Sequence, residues 1–372
     1  MKKKILCVVQ LPPPIHGASK MNSYVTNSTT LNSHFSIEVI NLHFSTSVAE
    51  LKKFSFRKIF ISISYAIRIF KKIISFNPHL IYFNLSTSGF AFYRDSIYIF
   101  LIKCFRKKLV LHLHSKGIKS IVENSILKKM FYKAVLNNTH VISLSATLAD
   151  DIRLVYRSNP YIVPNGIAFE NNNYFNPLID KRSAIPQILY LSNFIKSKGI
   201  LILIDALEIL KKKGCLFYAK LVGAPAELSL NGINSILRQK NLIDSVVALG
   251  PLYSENKKEA FENSDIFVFP TYDDAFPLVT LEAMQHHKPI ISTFEGAIPE
   301  IVVNNETGYL VDRKDPVMLA DKIELLLNNE KKRKDMGENG YKRYFKNYTL
   351  QIFETNMLNT FREVLHEKRM SK

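Results

Sequence analysis

The sequence comprises 372 residues, with 47% hydrophobic side chains, a formal net charge of +18 and no tryptophan. This length exceeds what one hydrophobic core usually serves, and the apolar content excludes a disordered chain, so we expect two folded domains. Arg68 and Lys103 interrupt the longest apolar runs, which therefore fall short of the ~20 residues of a membrane-spanning helix. The N-terminal run, residues 5–11, stops at prolines and lacks a cleavage site, which favours a first strand over a signal peptide.

The positive charge is concentrated in the first half of the chain. Residues 1–170 contain 23 Lys and Arg against 7 Asp and Glu, a surplus of 16, whereas residues 171–372 contain 27 against 25, a surplus of 2. Such a one-sided distribution indicates an anionic partner, which is a nucleic acid, an anionic lipid or an anionic substrate.

Apolar runs alternate with helical patterns along the first half. Strands are predicted at residues 5–9, 37–41, 80–84, 109–112 and 141–144, and helices at about residues 18–31, 56–75, 91–105 and 121–137. This alternation is typical of a doubly wound α/β domain with a parallel sheet.

The second half repeats the alternation more clearly. Strands are predicted at residues 187–191, 217–222, 246–249, 265–270, 289–293 and 308–311. Between the halves, residues 163–166 and 170–173 are polar and turn-forming. We therefore predict a first domain over 1–168 and a second over 169–349, with a C-terminal helix at about 350–372 packing back on the first. Two doubly wound domains in series favour a ligand cleft between them, outside the carboxyl ends of the strands.

Two acidic side chains mark the stretch from Ser264 to Pro289. Asp274 lies in a predicted loop, and Glu282 lies about five residues into a helix that opens near Pro277. Backbone amides at that helix N-terminus form an anion site, and Glu282 lies ~7 Å further along at a rise of ~1.5 Å per residue. The distance from a nucleotide's phosphates to its ribose is similar. The alternative is that both acids only complement the helix dipole and solvent.

Six motifs in chain order carry a family resemblance. DAFPLVTLEAM followed by KPII, residues 274–291, resembles the E-x(7)-E segment of retaining GT-B glycosyltransferases of family four, also called group 1. The others are PPPIHGAS at 12–19, VPNGI at 163–167, LSNFIKSKG at 191–199, EGAIPEIV at 295–302 and NNETGYLV at 304–311. The similarity is strong over residues 163–312 and thin before them. It implies the GT-B fold, in which two doubly wound Rossmann-like α/β domains face each other across a cleft.

The resemblance also implies roles for individual residues. Catalytic positions are expected at His114, Lys198 and Asp274, with Lys198 neutralising the departing nucleoside diphosphate. His112 and His114 share one face of the same strand, so position alone does not choose between them, and the resemblance favours His114. The implied donor-binding residues are Gly17, Ser192, Asn193, Gly223, Gly250, Leu252, Ala275, Phe276, Pro277, Leu278, Val279 and Glu282.

Two places depart from the family pattern. Asp274 stands where the family usually has Glu, which shortens the reach toward the sugar by one methylene group. Ser192 and Asn193 stand where Gly and Arg are usual, which removes one of two positive charges from the pyrophosphate. Lys196 is a candidate to supply part of the missing positive charge.

The resemblance implies retaining transfer of a sugar from a nucleoside-diphosphate sugar, with a UDP-sugar expected, to a hydroxyl of a glycan or lipid-linked oligosaccharide. The expected setting is cell-surface polysaccharide biosynthesis, such as capsule or O-antigen. No cofactor and no metal are expected, because the acid pairs at 150–151 and 273–274 have no His or Cys at metal-ligand spacing. A GT-B epimerase or phosphorylase, and a non-catalytic glycan- or nucleotide-sugar-binding partner, are the alternatives.

Residues 51–76 interleave Lys and Arg with Phe, Ile and Tyr, and further basic clusters occur at 106–108 and 128–129. A basic amphipathic segment of this kind favours an anionic membrane surface, where each cation contributes roughly 1 kcal/mol. A packed helix with solvated charges is the alternative, and nucleic acid is not expected because no binding signature is present. We expect a cytoplasmic protein, peripheral on the inner face of the cell membrane, and the three widely separated cysteines suit that reducing compartment.

Overall fold

The computed structural model describes residues 1–44, 56–169 and 185–367, and the side chains of residues 56–59 are outside the description. The predictions for residues 51–55 and 170–173 therefore lie outside the described residues. The chain divides into two compact units, one comprising Met1–Asn165 with Leu350–Lys372 and the other comprising Gly166–Thr349.

Within the described residues, the first unit forms a six-stranded parallel sheet in the order β2-β1-β3-β4-β5-β6. Its elements up to the domain change are β1 Lys3–Val9, α1 Gly17–Asn27, α2 Thr29–His34, β2 Phe35–Asn41, α3 Phe56–Phe76, β3 Leu80–Leu85, α4 Gly89–Cys104, β4 Lys108–Leu113, α5 Ile118–Glu123, α6 Ile126–Leu136, β5 His140–Ser143, α7 Ala146–Ala149 and β6 Tyr161–Ile162. The apolar run Ile5–Val9 is fully buried, as expected of a parallel strand with both faces covered.

Two helices predicted for the first half are each divided in two. The helix predicted over 18–31 is broken at Ser28, which ends α1 and whose Oγ accepts the Leu31 N–H at 3.1 Å to begin α2. The helix predicted over 121–137 is broken at Ser125, which caps α6 through the Lys128 N–H. In both cases the serine hydroxyl stabilises a new helix N-terminus within an apolar pattern that reads as continuous.

Within the described residues, the second unit also forms a six-stranded parallel sheet, in the order β12-β11-β10-β7-β8-β9. Its elements are β7 Gln187–Leu191, α8 Ile200–Lys212, β8 Tyr218–Val222, α9 Leu230–Gln239, β9 Val246–Leu249, α10 Ser254–Glu262, β10 Ile266–Val268, α11 Leu278–Gln285, β11 Ile290–Thr293, α12 Ile298–Ile301, β12 Gly308–Val311, α13 Pro316–Leu327 and α14 Glu330–Asn347. The chain fills one side of the sheet from β7 to β9 and then the other from β10 to β12. The strand order therefore reverses between β7 and β10.

The last helix, α15 at Leu350–His366, belongs to the first unit. The ring of Phe361 contacts those of Phe35 on β2 and Tyr82 on β3, with centroids 6.1 and 5.6 Å apart. Glu354 accepts a hydrogen bond from Thr30 of α2. Across the described residues, no helix combines the length and the apolarity needed to cross a membrane.

Candidate functional site

In the second unit, residues predicted to be catalytic or to bind the donor follow the carboxyl ends of neighbouring parallel strands. Lys198 follows β7, Gly223 follows β8, Gly250 follows β9 and Asp274 follows β10. Ligands of open α/β sheets bind where the strand order reverses, and in this unit that point lies between β7 and β10. The fold therefore brings Lys198 and Asp274 to the expected place.

Lys198 and Asp274 form an ion pair at the switch point of the sheet, the place between β7 and β10 where the strand order reverses. The Lys198 Nζ donates to Asp274 Oδ2 at 2.7 Å and to the Asp273 carbonyl at 2.9 Å. The two side chains are only about one-fifth exposed, at 22% and 19%. An ammonium has three N–H donors, so two described acceptors leave it one further donor direction. The two residues predicted to be catalytic in this unit are thus in direct contact.

The loops around this pair are packed backbone against backbone. Gly199 has φ +82°, and a Cβ on it would lie 2.0 Å from the Pro270 carbonyl oxygen. A Cβ on Gly223 would lie 1.9 Å from the Ser192 carbonyl oxygen, and one on Gly296, at φ +52°, would lie 2.3 Å from that of Asp274. Any side chain at these glycines would clash with the facing backbone. The glycines therefore allow the loops around Lys198 to pack closely against one another.

Helix α11 begins directly after the Asp274 loop. Ala275, Phe276 and Pro277 are buried in the turn, and Pro277 occupies the N-cap position without a side-chain cap. The first helical residues, Leu278 and Val279, are half-buried. An uncapped N-terminus presents amide N–H groups and the positive end of the helix dipole, which suits an anion.

Glu282, the fifth residue of α11, is held by a lysine that the sequence did not single out. Its Oε2 lies 2.6 Å from Nζ of Lys257, a residue of α10. The Glu282 side chain is 11% exposed and that of Lys257 is 28% exposed, so both side chains are largely removed from water. Helix α10 starts just past Gly250 and Leu252, both half-buried after β9. Lys257 thus ties the segment after β9 to the acidic side chain of α11.

The residues that depart from the family pattern at 192 and 193 lie directly after β7. Asn193 is exposed and Ser192 is half-buried, both at the end of β7. The side chain of Lys196 is also exposed, and its backbone N–H donates to Glu227 at 3.0 Å. Compensation by Lys196 for the missing arginine stays a prediction.

In the first unit, the structure distinguishes the two histidines that sequence position left equivalent. His112, in β4, is fully buried, and its Nδ1 lies 2.7 Å from the Tyr82 hydroxyl. His114, just past the strand, is half-buried, and neither ring nitrogen has a hydrogen-bond partner among the described residues. The two rings lie 3.9 Å apart. His112 therefore has a structural partner, whereas His114 retains its hydrogen-bonding capacity for a ligand.

Burial determines the charge state of these imidazoles. It lowers the pKa of His114 to about 3, with a smaller electrostatic contribution from the neighbouring His16 ring, and it lowers the pKa of His112 well below the usual range. Both rings are accordingly neutral at physiological pH. A neutral imidazole has one N–H donor and one acceptor nitrogen, which matches a sugar hydroxyl.

Gly17 is the first residue of α1, and His16 is its N-cap. The His16 Nδ1 accepts the Ser19 N–H at 3.3 Å, so the proton of the neutral ring is on Nε2. That nitrogen is buried and has no partner among the described residues, and burial lowers the ring's pKa. A Cβ on Gly17 would meet nothing within 4 Å, so space for close approach exists there. The loop after β1 thus offers a second imidazole, whose Nε2 has no partner among the described residues and whose role the sequence did not identify.

Asp151 has a structural role. Its carboxylate accepts the backbone N–H groups of Gly117, Ile118 and Lys119 at 2.9, 2.9 and 3.0 Å. These contacts cap α5 and fix the loop that follows His114. Within the described ranges, no group of three or more His, Cys, Asp or Glu is arranged to hold a metal ion.

Known proteins resemble the second unit in sequence. Residues 178–343 match the family model of glycosyl transferases group 1. The capsular polysaccharide biosynthesis glycosyltransferase CapM of Staphylococcus aureus is 31% identical over 209 residues, which is 53% of this chain and 53% of CapM. The chain therefore spans about half the length of this relative.

Solved structures share the fold over almost the whole chain. A glycosyltransferase from Rickettsia africae has a TM-score of 0.78 at 19% identity, covering 99% of this chain and 100% of that one. Anabaena HepE in complex with UDP-glucose has a TM-score of 0.69 at 18% identity, covering 97% and 99%. The predicted GT-B fold is confirmed. The family match spans residues 178–343, the part of the chain that contains Lys198, Asp274 and Glu282, and it identifies a glycosyl transferases group 1 domain there, as the motifs predicted.

Proposed function

We propose that this protein is a retaining glycosyltransferase that moves a sugar from a nucleoside-diphosphate sugar to a hydroxyl of a glycan. The observation that carries the proposal is the arrangement in the second unit. Lys198 and Asp274 pair at the switch point of the sheet, and the chain continues from Asp274 into an uncapped helix that carries Glu282. The cation and the helix N-terminus suit a diphosphate, and the two carboxylates suit the hydroxyls of a ribose and of a transferred sugar.

In this proposal the diphosphate lies on the N-terminal amides of α11, and the ribose hydroxyls donate to Glu282. Lys198 directs its third N–H to a phosphate oxygen. Negative charge builds up on the diphosphate as the sugar departs, so the lysine stabilises the transition state more than the bound donor. Asp274, held by Lys198, accepts a hydrogen bond from a hydroxyl of the transferred sugar.

His114 acts in this proposal as a neutral hydrogen-bonding group. Its low pKa, about 3, makes it a poor proton donor to the leaving group at physiological pH. A hydrogen bond to the sugar would orient the donor and stabilise positive charge that develops at the anomeric carbon. The leaving diphosphate needs no protonation by His114, because Lys198 compensates its charge and a diphosphate oxygen takes the proton that the acceptor hydroxyl loses.

The donor is proposed to be a UDP-sugar and the acceptor a glycan or lipid-linked oligosaccharide of a cell-surface polysaccharide, such as capsule or O-antigen. Two similar proteins support this: CapM is named for capsular polysaccharide biosynthesis, and HepE was crystallised with UDP-glucose. The reaction is proposed to need no metal, with Lys198 and the α11 amides holding the diphosphate. The protein is proposed to act at the cytoplasmic face of the cell membrane.

The test is a panel of nucleotide sugars, first for thermal stabilisation and then for turnover. A ligand at a hundred times its dissociation constant contributes about 2.7 kcal/mol, which raises the melting temperature measurably. Turnover is followed by ³¹P NMR in EDTA, and the anomeric configuration of the product by ¹H NMR. We expect UDP release with retained configuration. Inversion, epimerisation of the donor, or binding without turnover would contradict the proposal.

A further inference from the structure

Three helices of the first unit expose large apolar side chains in regular stripes. On α3, Phe60, Ile63, Ile67, Phe70 and Ile74 are exposed, and on α4, Phe90, Tyr93, Ile97 and Phe100 are exposed. Both sets follow spacings of three and four residues, so each occupies one side of its helix. Ile126, Leu127 and Met130 continue the pattern on α6. We call these twelve side chains the apolar face.

The exposed stripe of α3 is additional to the one that holds the helix in the fold. Tyr65, Ile69 and Ile73 on another side of α3 are buried in the core of the unit. At 3.6 residues per turn, the exposed stripe lies roughly opposite these core residues. Packing within the unit therefore accounts for the buried stripe only.

Ring contacts join the three helices into one surface. Phe70 of α3 contacts Phe105 at the end of α4, with centroids 5.5 Å apart. Phe131 of α6 contacts Tyr93 and Phe100 of α4 at 5.7 and 6.0 Å. The exposed side chains thus belong to neighbouring helices of a single patch. In the described part of the second unit, exposed large apolar side chains are scattered over separate strands, loops and helices.

The charges of these helices identify the partner. By sequence, α3, α4 and α6 carry ten Lys and Arg and one acidic residue. That acid, Asp95, is buried and bonded to Arg94 at 2.6 Å, so the three helices present cations and no exposed acid of their own. On α3, Arg68 and Lys71 lie on the side next to the exposed stripe. An apolar stripe bordered by cations matches the boundary between lipid headgroups and acyl chains of an anionic bilayer.

We propose that the apolar face inserts into the headgroup region of an anionic membrane, with α3, α4 and α6 lying on the bilayer. A second copy of the chain fits the face poorly, because pairing would place two cationic surfaces together. The sequence alone indicated membrane association through residues 51–76 and the basic clusters at 106–108 and 128–129. The structure adds the exposed apolar side chains of α4 and α6, which we expect to insert. The inference rests on the proposed function only for its purpose, the delivery of the acceptor.

The lack of tryptophan in the sequence permits a direct test. A single reporter is introduced as Ile97→Trp on the apolar face or as Leu216→Trp, an exposed position of the second unit. Vesicles of phosphatidylcholine with phosphatidylglycerol should shift the Ile97→Trp emission to shorter wavelength and make it quenchable by brominated lipid. The Leu216→Trp emission should stay unchanged. Equal behaviour of both reporters would overturn the placement of the face.

Vesicle co-sedimentation separates the apolar contribution from the charged one. The triple variant Ile67→Gln, Ile97→Gln, Leu127→Gln should lose on the order of a hundredfold in vesicle affinity, since each side chain loses its apolar burial. Lys71→Gln, Lys128→Gln, Lys129→Gln should weaken binding mainly at low salt, because 1 M salt shortens the screening length to ~3 Å. Leu216→Gln, Ile243→Gln, Val247→Gln is the matched control in the second unit and should bind as wild type.

Three outcomes would contradict the proposal. One is wild-type protein that ignores anionic vesicles at low salt, and another is full retention of binding by the apolar triple variant. The third is a wild-type dimer in sedimentation velocity that the apolar variant abolishes, since the face would then bind a second copy. Donor turnover with a soluble acceptor is measured on the same variants. Turnover without vesicle binding would reject only the membrane face, and vesicle binding without turnover would reject only the proposed reaction.

Discussion

The candidate sites of the two units differ in how their polar groups are satisfied. In the second unit the acids are already paired with lysines, Asp274 with Lys198 and Glu282 with Lys257. In the first unit the corresponding group, His114, is a half-buried neutral imidazole whose ring nitrogens are buried and have no partner among the described residues.

This difference indicates two kinds of ligand. A partly buried ion pair holds its charges at low cost until a charged ligand joins it, which suits a diphosphate. A neutral imidazole without partners gains hydrogen bonds from a ligand and does not need its charge, which suits sugar hydroxyls. Under the proposed function, the second unit therefore supplies the nucleotide affinity and His114 handles the sugar.

The largest effect is expected for Lys198→Ala. Turnover of the donor should fall by roughly 10²–10³-fold, the usual consequence of removing one preorganised charge-stabilising group. Lys196→Ala is the matched control, because that lysine belongs to the same loop and its side chain is exposed. Initial rates of UDP release measure both. Near-wild-type turnover in Lys198→Ala, with loss in Lys196→Ala, would transfer the role to Lys196.

Glu282→Gln should weaken UDP binding by about ten- to a hundredfold. Hydrogen bonds to a charged acceptor contribute roughly 1.5–3 kcal/mol, and the amide is a weaker acceptor for two ribose hydroxyls. Calorimetric titration with UDP and with 2′-deoxy-UDP gives the measurement. If the two ligands lose equal affinity, the carboxylate does not bind the 2′-hydroxyl.

Acid should destabilise the protein through His114. The ring has a pKa of about 3 when folded and about 6.5 when unfolded, so between these values the unfolded chain binds the extra proton. The contribution is fully present above pH 6.5 and is lost as the pH falls toward 3, by up to ~1.4 kcal/mol per pH unit. Urea unfolding at pH 7 and 5 should show a smaller loss in His114→Gln than in wild type. His366→Gln, at an exposed position, should match wild type.

Lys257→Ala should weaken UDP binding several-fold, a smaller effect than that of Glu282→Gln. Without the ammonium at 2.6 Å, Glu282 loses its fixed position and its charge repels the diphosphate. Lys258→Ala is the adjacent control, since that lysine lies near Glu262 instead. In a Glu282→Gln background the Lys257 effect should largely disappear. An undiminished effect there would mean that Lys257 contacts the nucleotide directly.

The sequence predicted the strands closely because buried parallel strands are short continuous apolar runs with polar ends. It predicted the helices less well where Ser28 and Ser125 start new helices inside an apolar pattern. It grouped Lys198, Asp274 and Glu282 through motifs, but Lys257 lies outside every motif and reaches Glu282 only through folding. Periodicity also could not separate exposed from buried apolar stripes, so the face on α4 and α6 appeared only in the structure.

The division of labour between the units is tested most directly by one paired measurement on His114→Ala and Glu282→Gln. Affinity for UDP is determined by calorimetry, and turnover of the donor at saturating concentration by ³¹P NMR. We expect His114→Ala to bind UDP as wild type does while its turnover falls at least tenfold, and Glu282→Gln to lose UDP affinity. Weaker UDP binding in His114→Ala, or wild-type UDP affinity in Glu282→Gln, would contradict the account.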